Sequence, residues 1–269
     1  MMLPYMEQSP LYNAINFAFL AQWGLGGQVN ATAYNTQVNG FLCPSDPAAG
    51  KYANNSYRGS IGSTTAVDSY YNGNNGNSTS TGCFTYFNCY GLRDITDGSS
   101  NTVAFSEGLA GEQNAIVGRR ATSVTGVGGA GSGQYLDASA PSGTQINTNV
   151  LNAIAACAAA NSISTNPSGN NISHDVAFRW GWGAMSETLF NTVVTPNSNL
   201  GKFNSCRVGC GGCGPDDGIF SNAQSYHSGG VNAGMADGSV RFIKDSINMQ
   251  TWMAIGTRAN GEVVSSDAY

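Results

Sequence analysis

The sequence has 269 residues, of which 10% are charged, with 36 glycines and a formal net charge of −5. An average soluble protein has about 25% charged residues and about 7% glycine, so we predict a surface built from Asn, Ser, Thr and Gly, as in secreted and assembled proteins. The negative charge disfavours nucleic acid as a partner, because a protein that binds the phosphate backbone presents a positive face. No segment approaches the roughly 20 consecutive apolar residues of a membrane span.

The first predicted element is a helix over 9–23, SPLYNAINFAFLAQW. Ser9 is a suitable cap and Pro10 suits the first helical position. Apolar residues recur at helical spacing from Leu11 to Phe19. We expect the aromatic side chains on and near this helix, through Trp23, to pack in the core, with a subunit contact as the alternative.

Later segments mix short strands with two more helices. Strands are predicted in SYRGSIG, in VAFRWGWG, in ETLFNTVVTP and after the Asp97-Gly98 turn of DITDGSSNTVAFSE. Helices are predicted in TQINTNVLNAIAACAAAN, with Val150, Leu151, Ile154, Ala155 and Ala158 on its apolar face, and over 248–256. The pattern indicates an α+β fold with mainly antiparallel strands, a few helices and long Gly-, Asn- and Ser-rich loops.

The stretch SYHSGGVNAGMADGSVRFI predicts a β-hairpin with a two-residue turn at Asp237-Gly238, flanked by alternating apolar residues. Ten residues of strand would place His227 about 30 Å from Asp237. A catalytic dyad needs hydrogen-bond reach, so this hairpin argues against one. We therefore predict that His227 bonds to local backbone and that Asp237 forms the turn.

His227, nine further residues and then Asp237-Gly238 resemble the H-X9-DG motif of a planctomycete family of prepilin-like proteins of the DUF1559 type. Four segments resemble other parts of that family in the same order: LPYMEQSPLYNAINF, FLCPSDP, SYRGSIG and DITDGSSNTVAFSE. The C-terminal segment that begins DGSVRFIKDSINMQTW also resembles it. The resemblance is weak over 108–171, which we interpret as a variable insertion in a single head domain spanning 1–269.

The resemblance implies a type IV pilin-like subunit, with a β-sheet head carried on a hydrophobic N-terminal helix that anchors it in the membrane. The expected function is a structural subunit of an extracellular or secretion-linked filament at the cell surface, without catalysis. The expected partners are copies of itself and other pilin-like subunits, with membrane contact only through that helix. The sequence given contains neither the prepilin cleavage motif nor the helix, so we expect a fragment or a start at an internal methionine.

A cell-surface module that binds glycans or small ligands is the alternative function. It depends on Trp180 and Trp182, which stand beside glycines in FRWGWG, and on the Asn- and Gly-rich loops. An enzyme is disfavoured, because the sequence has no nucleophile elbow, phosphate loop or metal-ligand pair of useful spacing.

Seven cysteines predict a disulfide set formed in an oxidising compartment, with one thiol left over. Cys83 and Cys89 flank a five-residue loop and are predicted to bridge each other. The CxxxCxxC spacing near position 210 also fits an iron–sulfur cluster, or zinc with His174 or Cys157 as the fourth ligand, but disulfides are favoured. The cysteines of unknown pairing are Cys43, Cys157, Cys206, Cys210 and Cys213.

No cofactor is predicted with the exception of calcium, for which one loop and the following strand offer oxygen ligands. Calcium takes six to eight such oxygens, and a plain Asp-Gly turn is the favoured interpretation of the same residues. The candidate calcium ligands are Asp94, Asp97, Ser99, Asn101 and Glu107.

Overall fold

The fold is α+β, as predicted, and it contains two mixed, mainly antiparallel sheets. A computed structural model describes residues 2–19, 25–66, 79–86, 88–111, 121–128, 134–139, 146–162, 171–173, 176–200, 202–210 and 213–265. Among these residues, no helix is both long enough and apolar enough to cross a membrane. Much of the predicted insertion at 108–171 lies outside the described residues.

Nine strands and five α-helices are assigned within the described residues. The strands are β1 Tyr57–Ser60, β2 Val103–Glu107, β3 Ser123–Val127, β4 Asn171–Ser173, β5 Leu189–Phe190, β6 Ser205–Val208, β7 Phe220–Ser221, β8 Gly230–Met235 and β9 Val240–Lys244. The helices are α1 Ser9–Ala14, α2 Leu25–Val29, α3 Ala31–Tyr34, α4 Thr148–Asn161 and α5 Met249–Ala254.

The larger sheet has the strand order β5-β1-β2-β8-β9, in which only the β1–β5 pair is parallel. One face of it packs on α5, whose Trp252 is fully buried and donates its indole N–H to the carbonyl of Val194 at 3.0 Å. Asn248 caps α5 by accepting from the backbone N–H of Gln250. The predicted C-terminal helix is therefore confirmed, because its cap and its apolar residues are all local signals.

The smaller sheet has the order β4-β3-β6-β7 and packs on α4. This helix buries Val150, Ile154 and Cys157, whereas Leu151 and Ala155, predicted to lie on its apolar face, are exposed. A disulfide joins Cys157 to Cys206 on β6, and it fixes which face of α4 turns inward. Helical periodicity alone gave a face rotated by about one residue, because an alanine-rich helix has little contrast between its sides.

The predicted first helix is much shorter than expected, since α1 ends at Ala14 and Ile15 is extended. The next residue, Asn16, exchanges two hydrogen bonds with the buried side chain of Asn30: its N–H donates at 2.8 Å and its carbonyl accepts at 3.1 Å. These bonds replace the helical ones and stop the helix. Phe17 and Phe19, predicted to lie in the core, are exposed, and Trp23 falls outside the described residues.

The predicted strands over 176–183 and 187–196 are wrong apart from the two residues of β5. Ala177 lies in the first segment and Ser186 directly before the second, and both have positive φ, which an extended strand cannot contain. The two are linked by a hydrogen bond from the Ala177 N–H to the Ser186 carbonyl at 2.7 Å. Residues 177–186 therefore form a closed loop. The alternation of apolar residues there had led to the wrong prediction of a strand.

The β8–β9 hairpin is present, but its turn has three residues instead of two. Gly234 pairs with Val240, and the Met235 N–H donates to the Ser239 carbonyl at 2.8 Å. Gly238 has φ +88°, as a type I turn followed by a left-handed residue requires. The predicted register was therefore shifted by one residue. Asp237 occupies the turn, and its carboxylate accepts from both the N–H and the hydroxyl of Ser239.

The far end of this hairpin is attached to the start of β2. The Ala236 N–H donates to the Thr102 carbonyl at 2.9 Å, and the Asp237 N–H donates to the Ser99 carbonyl at 3.1 Å. His227 precedes β8 and Asp237 follows it, so the two residues lie at opposite ends of the strand. They form no dyad.

Arg58 on β1 is fully buried and links the two sheets. Its guanidinium donates to the Asn204 side chain at 2.6 Å, to the Ser221 hydroxyl at 3.2 Å and to the Leu109 carbonyl at 3.0 Å. Burial lowers its pKa to about 10, while the carboxylates of Glu187 and Asp46 favour the charged form. The charge is therefore tolerated inside the protein because it is hydrogen-bonded and electrically compensated.

Arg58→Met is predicted to lower the free energy of unfolding by about 3–5 kcal/mol, because it leaves buried acceptors and a buried carboxylate without their cation. Arg93→Met is the matched control, since the Arg93 side chain is 92% exposed, and we expect it to change stability by about 0.5 kcal/mol or less. Urea denaturation of the three proteins measures the difference. Equal effects of the two substitutions would show that the buried guanidinium contributes no more than a surface one.

The second disulfide, Cys210–Cys213, spans three residues, whereas Cys157–Cys206 spans 49. Replacing both Cys157 and Cys206 by alanine should cost about 4 kcal/mol of stability, against about 2 kcal/mol for the corresponding change at Cys210 and Cys213, since a longer loop restricts the unfolded chain more. Thermal denaturation of the two double variants tests this order. The reverse order would contradict the pairing described.

Candidate metal centre

The His227 imidazole contacts side chains from two distant parts of the chain. Its Nε2 lies 3.0 Å from Oε1 of Glu107, 3.7 Å from Sγ of Cys43 and 3.3 Å from Oγ of Ser45. Among the described residues, its nearby partner in the chain is the hydroxyl of Ser225, which accepts from the backbone N–H of His227 at 3.1 Å and not from the ring. The prediction that the imidazole would bond to nearby backbone is therefore wrong.

Glu107 is the last residue of β2, and its carboxylate is held in place by the neighbouring strand. Its Oε2 accepts from the backbone N–H of Asn232 at 2.8 Å, and its Oε1 accepts from the Asn232 side-chain amide at 3.1 Å. The Glu107 side chain is 5% exposed. Strand pairing thus fixes both the position and the rotation of the carboxylate, with Oε1 directed at His227.

Cys43 lies in the turn that follows a 3₁₀ helix at Asn39–Phe41. Its carbonyl accepts from the N–H of Asp46 at 3.1 Å, which closes the turn. Its thiol is buried and free, 2.9 Å from Oγ of Ser45 and 3.9 Å from Oε1 of Glu107. Burial, together with the nearby Cys43 and Glu107, raises the pKa of Tyr57, the residue opposite Glu107 on β1. The phenol therefore stays neutral beside these groups.

The three donor atoms of Cys43, Glu107 and His227 all lie within 4.8 Å of one another. In a nucleophilic Cys–His–acid arrangement, the thiol and the carboxylate occupy opposite nitrogens of the imidazole. Here both approach the same nitrogen, Nε2, so the carboxylate cannot orient the ring for proton transfer from the thiol. Convergence of a sulfur, a nitrogen and an oxygen on one point is instead the arrangement of metal ligands.

The five candidate calcium ligands do not lie together. Glu107 lies six positions after Asn101, at the far end of β2, and that strand alone spans about 13 Å. The Asp97 carboxylate accepts from the N–H groups of Asn260 and Gly261, at 2.8 and 2.9 Å. The Asp94 carboxylate accepts from the N–H of Gly91 at 2.7 Å, and the Ser99 carbonyl accepts from the hairpin turn. Glu107 therefore does not lie with the other four candidates, for which calcium binding stays a prediction.

The cysteine predictions are corrected in part. Two disulfides form, but Cys83 and Cys89 are both free. The Cys83 thiol is directed at the carbonyl of Val103, 3.9 Å away, and burial raises its pKa to about 11, whereas Cys89 is exposed. Pairing of Cys206, Cys210 and Cys213 in disulfides removes the thiolates that an iron–sulfur or zinc site there needs. His174 lies outside the described residues.

Trp180 and Trp182, the predicted ligand contacts of the alternative glycan-binding function, have different surroundings. Trp180 packs at 5.5 Å from the ring of Tyr34, and its indole N–H donates to the Thr36 carbonyl at 2.8 Å. Trp182 lines a cleft of about 200 Å³ with Tyr34, Asn35 and Arg179. The Arg179 guanidinium lies 5.6 Å from the Trp182 ring. Only Trp182 is therefore placed to contact a ligand in this cleft.

His227 stands out in the sequence, but its partners Cys43 and Glu107, which lie 184 and 120 residues away, were not predicted to contact it. A signal was nevertheless present. FLCPSDP contains Cys43, DITDGSSNTVAFSE ends in Glu107, and the H-X9-DG pattern begins with His227. Each of three segments that carry the family resemblance therefore supplies one member of the cluster.

Comparison with known families agrees with this resemblance. The family model described as "Protein of unknown function (DUF1559)" matches residues 1–250, and the chain belongs to that family. No curated protein and no solved structure matches the chain.

Proposed function

We propose that this protein is a structural, non-catalytic, pilin-like subunit of an extracellular or secretion-linked filament. The observation that carries the proposal is a set of large apolar side chains left exposed along the N-terminal segment, the part nearest to where a pilin carries its anchor helix. They are Met2, Tyr5, Phe17, Phe19, Leu25 and Val29, with exposed fractions of 41–91%.

The grouping of these exposed apolar side chains in one segment of the chain supports contact with another molecule there. A second copy of the chain, or a related pilin-like subunit, fits best, because only 10% of the residues are charged and the net charge is −5. Such a head has little electrostatic repulsion to oppose close packing of identical copies. The contact would bury the N-terminal segment of each subunit against its neighbour.

Location at the cell surface is supported by the two disulfides, since disulfides persist mainly in oxidising compartments. A non-catalytic role is supported by the shared use of Nε2 by both Cys43 and Glu107, which does not suit nucleophilic catalysis. The family assignment itself gives no activity.

The test is photo-crosslinking on intact cells that produce the protein, with a photoreactive residue in place of Tyr5, which is 91% exposed. We expect a ladder of multiples of the subunit mass. Val240, which is 70% exposed on the sheet edge, is the matched control position, and we expect few cross-links from it. Cross-links to no other copy and to no pilin-like partner from Tyr5 would contradict the filament proposal.

The cleft beside Trp182 favours one second candidate, a surface module that binds glycans. A tryptophan next to an arginine and an asparagine offers both a stacking face and polar contacts for a sugar. If this candidate is correct, the purified protein binds members of a glycan array and Trp182→Ala abolishes that binding, whereas Tyr5→Ser leaves it unchanged. An array without signal would leave the filament as the better function.

A further inference from the structure

We propose that Cys43, Glu107 and His227 bind one zinc ion, with Ser45 or a water molecule in the fourth position. This inference does not depend on the filament proposal. It begins from three donor atoms that converge on one point: Nε2 lies 3.0 Å from Oε1, whereas the distances from Sγ, 3.7 Å to Nε2 and 3.9 Å to Oε1, are at the outer limit for a thiol hydrogen bond.

The separations fit the edges of a zinc tetrahedron. Zinc lies about 2.3 Å from thiolate sulfur, about 2.05 Å from imidazole nitrogen and about 2.0 Å from carboxylate oxygen, so tetrahedral angles place the ligand atoms about 3.3–3.6 Å apart. The observed separations are 3.0, 3.7 and 3.9 Å. One ion can therefore reach all three atoms after shifts of a few tenths of an ångström.

The chemistry of the donor set selects the metal. A thiolate and an imidazole are ligands for zinc and other transition metals, whereas calcium and magnesium take oxygen. A Cys43 thiolate and a Glu107 carboxylate carry two negative charges, and a divalent ion neutralises them. The cluster is buried on the Cys43 and Glu107 side, while the His227 side chain is 33% exposed and gives an ion a way in.

Hydrogen bonds hold two of the three ligands, Glu107 and Cys43, in position in the metal-free protein. Asn232 orients the Glu107 carboxylate through two hydrogen bonds, and a backbone turn holds Cys43. Outer partners of this kind are a regular part of metal sites. Ser45, with Oγ 2.9 Å from Sγ and 3.3 Å from Nε2, borders the remaining position.

A zinc ion here would connect three separate parts of the chain: the turn before β1, the end of β2 and the loop before β8. The ligands are 64 and 120 residues apart in sequence. Closing loops of that length restricts the unfolded chain, as a disulfide does. The ion would therefore act as a structural cross-link between these three segments.

The test uses the purified chain, stripped of metal with a chelator and titrated with Zn²⁺ in a calorimeter. We expect one ion per chain and a rise in melting temperature, because the three ligands are brought together only in the folded state, which zinc therefore binds more tightly. His227→Ala should weaken binding by at least about 100-fold. His174→Ala is the matched control, since His174 is the other histidine of the sequence, and it should bind zinc as the wild type does.

A second measurement does not depend on the stability of any variant. Co²⁺ bound to the wild-type protein should give a thiolate-to-cobalt charge-transfer band, and the closely isosteric Cys43→Ser should remove it. A folded wild-type protein that binds no Zn²⁺, a Co²⁺ complex without the thiolate band, or loss of binding in His174→Ala alone would each overturn the proposal.

Discussion

The buried guanidinium of Arg58 determines how the two sheets meet. Arg58 lies on β1 in the larger sheet, and its guanidinium donates to two residues of the smaller sheet. These are Asn204, which directly precedes β6, and Ser221, which lies on β7. Hydrogen bonds to a charged group have preferred directions, whereas apolar contacts do not. Burial raises the pKa of the Glu187 carboxyl to about 7, and the positive charge of Arg58 acts in the opposite direction by favouring the ionised carboxylate. One residue thus fixes both the geometry and the charge balance of the interior.

The hydrogen bonds around Arg58 also change how the high content of asparagine and serine is interpreted. Abundant asparagine and serine led us to expect a polar surface, but many of these residues are inside. The buried asparagines are Asn30, Asn54, Asn55, Asn161, Asn191, Asn197, Asn204 and Asn222. Most of them hydrogen-bond to backbone groups of irregular segments; Asn191, for example, donates to the carbonyls of Thr64 and Ile219. A protein with so many loops needs side-chain amides to satisfy its buried backbone.

Local signals predicted the elements that local interactions form. The β1 and β2 strands and α5 are present where the sequence placed them, and Gly98 has the positive φ expected of the Asp97-Gly98 turn. Predictions failed where a distant residue decides: Asn30 stops α1, and Cys206 sets the face of α4. The candidate site followed the same rule, because His227 stood out by its rarity while its partners are contributed by other strands and turns.

The hairpin and β2 together explain why His227 and Asp237 are separated by nine residues. β8 runs antiparallel to β2, with Asp237 bonded beside the start of β2 and His227 bonded to Glu107 at its end. The stretch between them therefore runs along β2 and is hydrogen-bonded to it, or to the residues beside it, at both ends. An insertion or deletion within it would leave only one attachment in register, because a shift of one residue turns every side chain to the opposite face. The number of residues between His227 and Asp237 therefore matches the length of β2, and it does not bring the two side chains together as a catalytic pair would require.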